Sequence, residues 1–420
     1  MSGAAEDHKD DSSGRSRLGE VARLFLKLGF TAFGGPAAHV ALMEEEVVNR
    51  RGWMDRQHFL DMVSAVNFIP GPNSTELAIH IGLIRAGWRG LIVAGVCFIV
   101  PAMMIVLPLA WCYVTYGATP AVGEALVGIK ACMVGIVAVA LWRFARTGIK
   151  DGFTAGVAVV ALAMAIACKR FAVPQAELIV LGVAAVAGVA WYGHGSSMNE
   201  GDGTRAASRA TKGFSWPLVA LPVSVGSLGF SGQLVQMALF FLKVGATLFG
   251  SGYVLASFLH SGLVEQHRWL SEQELLDAIA VGQVTPGPLL TAATFIGYVV
   301  GVRRFGGGVG RGVISGVVAT VAIFLPSFVF ICLLGPILPR LRKSRRARGA
   351  LDGMNAAVVS LIAVVTVWFS GSALLRSGGV NPLAAGVFGI SLIILLATKL
   401  NPTWLILASG VVGVAAHALH

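Results

Sequence analysis

Apolar runs of about 20 residues recur from residue 21 to the C-terminus, each long enough to cross the hydrocarbon core of a bilayer as a helix. Hydrocarbon offers the backbone no hydrogen-bond partners, so such a chain must pair its own amides and carbonyls at every depth. Only 13% of the 420 residues are charged, against about 25% in a soluble domain. The expected fold is therefore an all-α polytopic membrane protein. A soluble enzyme, a secreted disulfide scaffold and a disordered chain are excluded.

The expected spans are 21–42, 59–84, 88–116, 121–147, 152–168 and 175–193, then 233–260, 275–301, 309–339, 350–375, 382–398 and 403–419. Residues 1–20 form a polar N-terminal tail without the apolar core of a signal peptide, and 21–193 form a first membrane repeat. Residues 194–232 are a hydrophilic linker followed by an ambiguous apolar segment, 214–232, weakened as a helix by Pro217 and Pro222. Residues 233–420 form a second repeat. The net charge is +11, but the 32 Lys and Arg lie mostly between spans, where they set orientation; nucleic acid is not an expected partner. Cys97, Cys112, Cys132, Cys168 and Cys332 lack CxxC spacing and read as small hydrophobes. No metal site, cofactor or catalytic residue is expected.

The two repeats descend from one. Phe25–Gly34 aligns with Phe241–Gly250 at a shift of 216 residues, which also carries Trp53 to Trp269, Asp61 to Asp277, Pro70-Gly71-Pro72 to Pro286-Gly287-Pro288, and Thr75 to Thr291. Further on the shift is 225: Pro101 meets Pro326, Gly128 meets Gly353, and Lys130 meets Asn355. Loop charge gives the relative sense. The loop near 117–120 has no basic residue, whereas its counterpart holds Arg340, Arg342, Lys343, Arg345, Arg346 and Arg348; the next loop reverses this, with Arg143, Arg146 and Lys150 against Arg376. Short basic loops stay cytoplasmic, so the repeats are expected to be inverted, with segment 214–232 supplying the odd crossing and the N-terminus inside. Arg85 and Arg89 match Arg303, Arg304 and Arg311, an exception. Either the rule fails there or these arginines serve something other than topology.

Breaks mark the candidate site. Pro70-Gly71-Pro72 falls 11 residues after Phe59, about 16 Å of helix, near half the core thickness. Gly34-Gly35-Pro36 interrupts the first span at a similar depth. Two prolines remove two backbone donors and force the helix to stop and restart, and the restarted half aims free N–H groups at the break, an arrangement that binds anions. A packing kink is the plain alternative; the second Pro-Gly-Pro, with Thr285 and Thr291 beside it, favours a site. Asn73, Glu76 and His80 share one face of the restarted helix, with Ser74 and Thr75 in its first turn. Glu76 and His80 are expected to handle protons, Glu76 alternatively neutralising a nearby cation; Asp61 is either a helix-terminal charge or a proton route. Lys27 and Lys243 snorkel or counter the anion. Lys130 is expected at the substrate, as are Arg85 and Arg89 by position, and His39 is evenly a core or a site residue. The matching face of the second half is Leu289, Ala292 and Ile296. Trp53 and Trp269 read as interfacial anchors.

At Phe33-Gly34-Gly35-Pro36 with His39, Arg51-Gly52-Trp53, Asn67 and Pro70-Gly71-Pro72-Asn73-Ser74-Thr75-Glu76, the sequence resembles the chromate ion transporter family over nearly its whole length. The resemblance implies export of chromate across the bacterial inner membrane, conferring chromate resistance, with coupling to proton-motive force or a counter-anion. The expected function is a secondary transporter of a tetrahedral oxyanion, chromate or the similarly shaped sulfate, working by alternating access; its partners are that anion, the lipid bilayer and, as an assembly to consider, a second copy in a homodimer. No Walker-type GxxxxGK[ST] sequence is present. Two rivals stand beside it: a membrane-embedded phosphatase of lipid pyrophosphates, with Ser74 and His80 as nucleophile and base, and a passive anion channel.

Overall fold

The computed structural model describes residues 4–193 and 229–418 except 118, 172, 174, 250–253, 336, 377–378 and 399. Most of the linker and of the ambiguous segment 214–232 lies outside the described residues, and so does the counterpart of Gly34-Gly35-Pro36. The polar start of the chain is not a separate tail. Free of proline, it is helical and continuous with the first span as α1 (Ala4–Thr31), and Arg85 ties it down by donating to Glu20 at 2.6 Å.

Each element ends where the sequence changes its backbone chemistry. Gly34 and Gly35 take positive φ, 104° and 80°, which stops α1; Pro36 then opens α2 (Gly35–Glu44), since the first turn needs no proline N–H. A π-helical turn, Glu45–Arg50, follows. Asp55 caps α3 (Arg56–Val66) by accepting from the His58 amide at 2.8 Å. Beyond Pro70-Gly71-Pro72 the chain restarts as α4 (Ser74–Tyr116), bent at Ala86 and Gly87, the boundary expected between two spans. α5 (Pro120–Gly148), α6 (Gly152–Arg170) and α7 (Ala176–Gly193) complete this half. Asp151 opens α6 through a capping box with Thr154; the Thr154 amide and the Tyr192 hydroxyl hold its carboxyl below the usual carboxylate range.

The second half repeats the plan with α8 (Phe230–Thr247), α9 (Leu255–Leu259) and its π-helical extension His260–Gln266, and α10 (Glu272–Val284). After the second Pro-Gly-Pro come a short 3-10 turn, Leu289–Thr291, and α11 (Ala292–Arg303). α12 (Val309–Leu334), the short α13 (Leu338–Lys343) and α14 (Arg345–Leu374) follow. Arg340, Arg342 and Lys343 therefore belong to α13, and Arg345, Arg346 and Arg348 to the first turn of α14, rather than to an open loop. A two-residue antiparallel pair, β1 (Leu375–Arg376) with β2 (Gly379–Val380), leads to α15 (Pro382–Ala397) and α16 (Pro402–Ala418). Asn381 caps α15 by accepting from the Ala384 amide at 3.2 Å.

Among the described residues, five helices are long and apolar enough to cross a bilayer: Ser74–Tyr116, Val122–Gly148, Gly152–Arg170, Val309–Leu334 and Arg345–Leu374. With shorter apolar helices between them, this is a multi-pass helical membrane protein. Hydrocarbon supplies no hydrophobic drive between helices, so small residues that admit close backbones do much of the packing. In α5, Gly128 lies against the Ser409 carbonyl of α16, and Gly413 of α16 lies against the Glu124 carbonyl. In α14, Gly353 lies against the Ala184 carbonyl of α7, and Gly188 and Gly349 face each other. The shift of 225 residues converts the first set of contacts into the second. Each half thus buries its fourth span against the final span of the other. Gly188→Leu is expected to destabilise the protein by about 1–3 kcal/mol through overpacking, whereas Gly182→Leu, with open space around it, leaves thermal unfolding in detergent nearly unchanged.

Candidate functional site

The two Pro-Gly-Pro breaks are joined by a reciprocal exchange of backbone hydrogen bonds. The Gly71 amide donates to the Leu248 carbonyl at 2.6 Å, and the Gly287 amide donates to the Ala32 carbonyl at 2.9 Å. Ala32 and Leu248 are equivalent in the duplication, as are Gly71 and Gly287. Each break thereby satisfies a carbonyl freed where the other half's first helix ends. Gly287 holds φ at 85°, and a Cβ there would lie 2.8 Å from the Ala102 Cβ. Only glycine fits. The Ala32 carbonyl also lies 3.0 Å from His39 Nε2; since a carbonyl only accepts, that nitrogen carries the proton. His39 is buried, edge-on to Phe98, and its Nδ1 has no partner. Gly34 and Gly35 complete this corner with Pro36, and a Cβ at Gly34 would lie 3.1 Å from the Asn401 side chain at the start of α16.

At the first break the polar chemistry gathers around Glu76. Asn73 opens α4 at φ 53° and donates to Asn67 Oδ1 at 2.9 Å. Ser74, Thr75 and Glu76 fill its first turn and are all buried. The Glu76 carboxylate folds back over Gly71, occupying the space of an absent Cβ, and accepts from the Ser327 hydroxyl of α12. Its second oxygen and the Thr75 hydroxyl are buried without a partner. No Lys or Arg among the described residues pairs with Glu76, so it does not neutralise a fixed cation. His80 Nδ1 is also unpartnered; Glu76 and His80 share a face without bonding each other. The corresponding place in the second half is apolar. Ala102 stands for Ser327 and Ala292 for Glu76, while Thr291 donates to the Pro288 carbonyl at 2.7 Å and Thr285 to the Val281 carbonyl at 3.0 Å.

The expected cations are placed elsewhere. Lys27 pairs with Glu46 at 2.6 Å. Arg85 pairs with Glu20 and lies over the Trp53 ring at 4.9 Å, Arg89 lies over Trp88, and Lys243 is half-buried on α8. Lys130 is 3.2 Å from Asp277, to which Tyr113 donates at 2.8 Å. Asp61 lies in mid-helix, half-buried, and accepts from Gln57 at 3.2 Å. Trp269 is not an interfacial anchor: it is buried and stacked on His267. The arginines that break the loop-charge rule serve local structure. Arg303 pairs with Glu274, Arg304 donates to the Trp269 carbonyl at 3.2 Å, and Arg311 donates to the Phe305 carbonyl at 2.8 Å. Among the described residues, no three His, Cys, Asp or Glu side chains gather to hold a metal. Sequence reasoning missed Ser327 and Asn401; the first follows Pro326, the counterpart of Pro101, and that register was the available signal.

Interrupted helices from two related halves, meeting at a buried polar centre within a multi-pass bundle, are the construction of a membrane transporter. The family model of chromate transporters matches residues 19–189 and 235–414, one stretch in each half. The chain belongs to the chromate transporter family and is a transporter, not an enzyme. A chromate transport protein of Cupriavidus metallidurans is 29% identical over 346 residues, covering 82% of this chain and 80% of that protein. One from Pseudomonas aeruginosa is 29% identical over 399 residues, 93% of this chain and 90% of its own length. An uncharacterized transporter of Bacillus subtilis is 26% identical over 157 residues, which are 37% of this chain but 88% of that protein. No solved structure matches the chain.

Two substitutions probe this geometry. Ser327→Ala removes the hydroxyl donor of the Glu76 carboxylate and is expected to cost about 1–3 kcal/mol, read as a lower unfolding midpoint in detergent. Gly71→Ala drives a methyl group into that carboxylate, and transport in liposomes is expected to fall further than with Ser327→Ala; equal activity for both would place the carboxylate elsewhere.

Proposed function

We propose that the chain is a secondary transporter that exports chromate across the bacterial inner membrane, by alternating access between two inverted halves, and so confers chromate resistance. The observation that carries this reading is the reciprocal pair of bonds from Gly71 to Leu248 and from Gly287 to Ala32. It supports a two-fold relation between the breaks, and the alternation of basic loops supports the inverted sense with the N-terminus in the cytoplasm. Domain limits of 21–193 and 233–420 follow from the same register. Relatives named for chromate transport support chromate as cargo; sulfate shares its shape and charge.

In this reading the dianion sits at the first break, facing the amides that open α4 and the hydroxyls of Ser74 and Thr75, with the Pro286-Gly287-Pro288 turn closing the far side. A helix N-terminus favours negative charge, and here the Glu76 carboxylate holds that position. Two like charges repel strongly in a low dielectric, so the oxyanion enters as Glu76 takes a proton, with His39 and His80 as nearby imidazoles. One proton taken up with the dianion leaves net negative charge to move outward, so the membrane-potential part of the proton-motive force drives export under this arrangement, and counter-anion exchange is the other energy source to be measured.

Oxyanion flux into proteoliposomes, with and without a pH gradient, tests the proposal. Wild-type protein is expected to accumulate chromate in response to the gradient, and Glu76→Gln to abolish coupling or transport. Unaltered coupled flux in Glu76→Gln removes that carboxylate from the mechanism. A wild-type current needing neither gradient nor exchange partner would make the protein a channel.

A further inference from the structure

A second polar contact between the halves is a buried ion pair, Lys130 with Asp277, that does not touch Glu76. Asp277 belongs to α10 of the second half and is only 2% exposed. Lys130 of α5, from the first half, reaches it at 3.2 Å, and Tyr113 of α4 donates to its other oxygen at 2.8 Å. The pair opens on a cavity of about 600 Å³ lined by Tyr113, Lys130, Glu274, Asp277, Arg303 and Ser372. Taking two charges out of water is costly, and an ionisable side chain kept inside a membrane segment is a functional candidate by default.

The charges of this cavity decide what it serves. Arg303 of α11 is held by Glu274 and lies 5.3 Å from the Tyr113 ring centre. Glu124 lines the wall from α5. Among the described residues that line it, Asp277 faces Lys130 and Glu274 faces Arg303. His260 and Glu265, on the π-helical turn packed near α10, are engaged in a separate cluster with Glu272, and Asp352 of α14 is paired with Lys150. Of the two paired carboxylates that line the cavity, Asp277 is the more deeply buried, its side chain 3% exposed against 16% for Glu274.

We propose that Asp277 and Lys130 form a second protonation site of this transporter, separate from Glu76, that links the proton gradient to movement of the halves. The inference rests on the proton-driven reading above. Asp277 takes a proton from a hydronium ion in the cavity, giving a neutral carboxylic acid and water; Lys130 keeps its own proton and is released. Because the partners come from different halves, the bond between them joins α5 to α10 only while Asp277 is ionised. The duplication supplies the contrast. Asp61, the counterpart of Asp277, is half-buried and bonds a glutamine of its own helix, and the counterpart of Lys130 is Asn355. The lysine of the pair is therefore present on one side of the pseudo-symmetry and replaced by Asn355 on the other.

The test uses the full chain in liposomes and the double variant Lys130→Gln/Asp277→Asn, which removes both charges together and leaves neither partner buried alone. Two readouts separate coupling from binding: exchange of labelled chromate across membranes with no gradient, and accumulation driven by a pH gradient. The expected result is wild-type exchange with an accumulation ratio that collapses to one, while Asp277→Glu retains accumulation with a displaced pH profile. Gradient-driven accumulation by the double variant overturns the proposal. So does loss of exchange in a variant whose thermal unfolding is unchanged, since the pair would then serve binding. A wild type that exchanges chromate but does not accumulate it in a pH gradient overturns the proton-driven reading, and the proposal with it. Absence of any chromate flux in the wild type would instead overturn the transport reading itself.

Discussion

A helix that stops inside hydrocarbon leaves amides and carbonyls with no water to bond, and each unpaired group costs several kcal/mol or more in that setting. This protein interrupts its helices at Gly34-Gly35-Pro36, Pro70-Gly71-Pro72 and Pro286-Gly287-Pro288, and the freed groups are paired across the duplication. The amide of Gly71 goes to Leu248 and that of Gly287 to Ala32. The interruption that creates a polar centre and the contact that joins the halves are one feature. Glycine at both donors follows, because φ is positive at each and a Cβ would meet the Glu76 carboxylate at Gly71 and the Ala102 methyl at Gly287.

Charge is distributed in keeping with that division. Around the first break, Glu76 is held by a hydroxyl rather than by a cation, in a space the second half fills with Ala102 and Ala292. Among the described residues, three cations within or near the spans are given carboxylate partners other than Glu76: Lys27 has Glu46, Arg85 has Glu20, and Lys130 has Asp277. An unpaired cation at such depth would be expensive, and pairing removes most of that penalty. What remains at the break is backbone, hydroxyl, imidazole and one carboxylate.

Much of this was legible in the chain. Several of the spans, both Pro-Gly-Pro breaks and the duplication register follow from hydropathy, the missing proline amides and the repeated Trp, Asp and Pro positions, whereas twelve spans were expected and five described helices are long and apolar enough to cross. The partners of the charges were not legible. Lys27 and Glu46 are brought together by the reversal at Gly34 and Gly35, and Lys130 and Asp277 by the crossing of one half over the other, neither of which periodicity records. Trp269 illustrates the same limit: an aromatic at a span edge looks like an anchor until the fold places His267 and Phe305 against it. The polar first 20 residues read as a tail because composition reports solubility, not whether a helix continues through them.

The swapped seating of the fourth spans has an implication for how such a molecule arises. Neither half can bury its own small-residue stripe, since the groove that receives it is built by its counterpart. A solitary half would be an unfinished object, with one seam open to lipid. Fusion of two copies into one chain fixes their stoichiometry, and it frees each copy to lose the chemistry that the other retains.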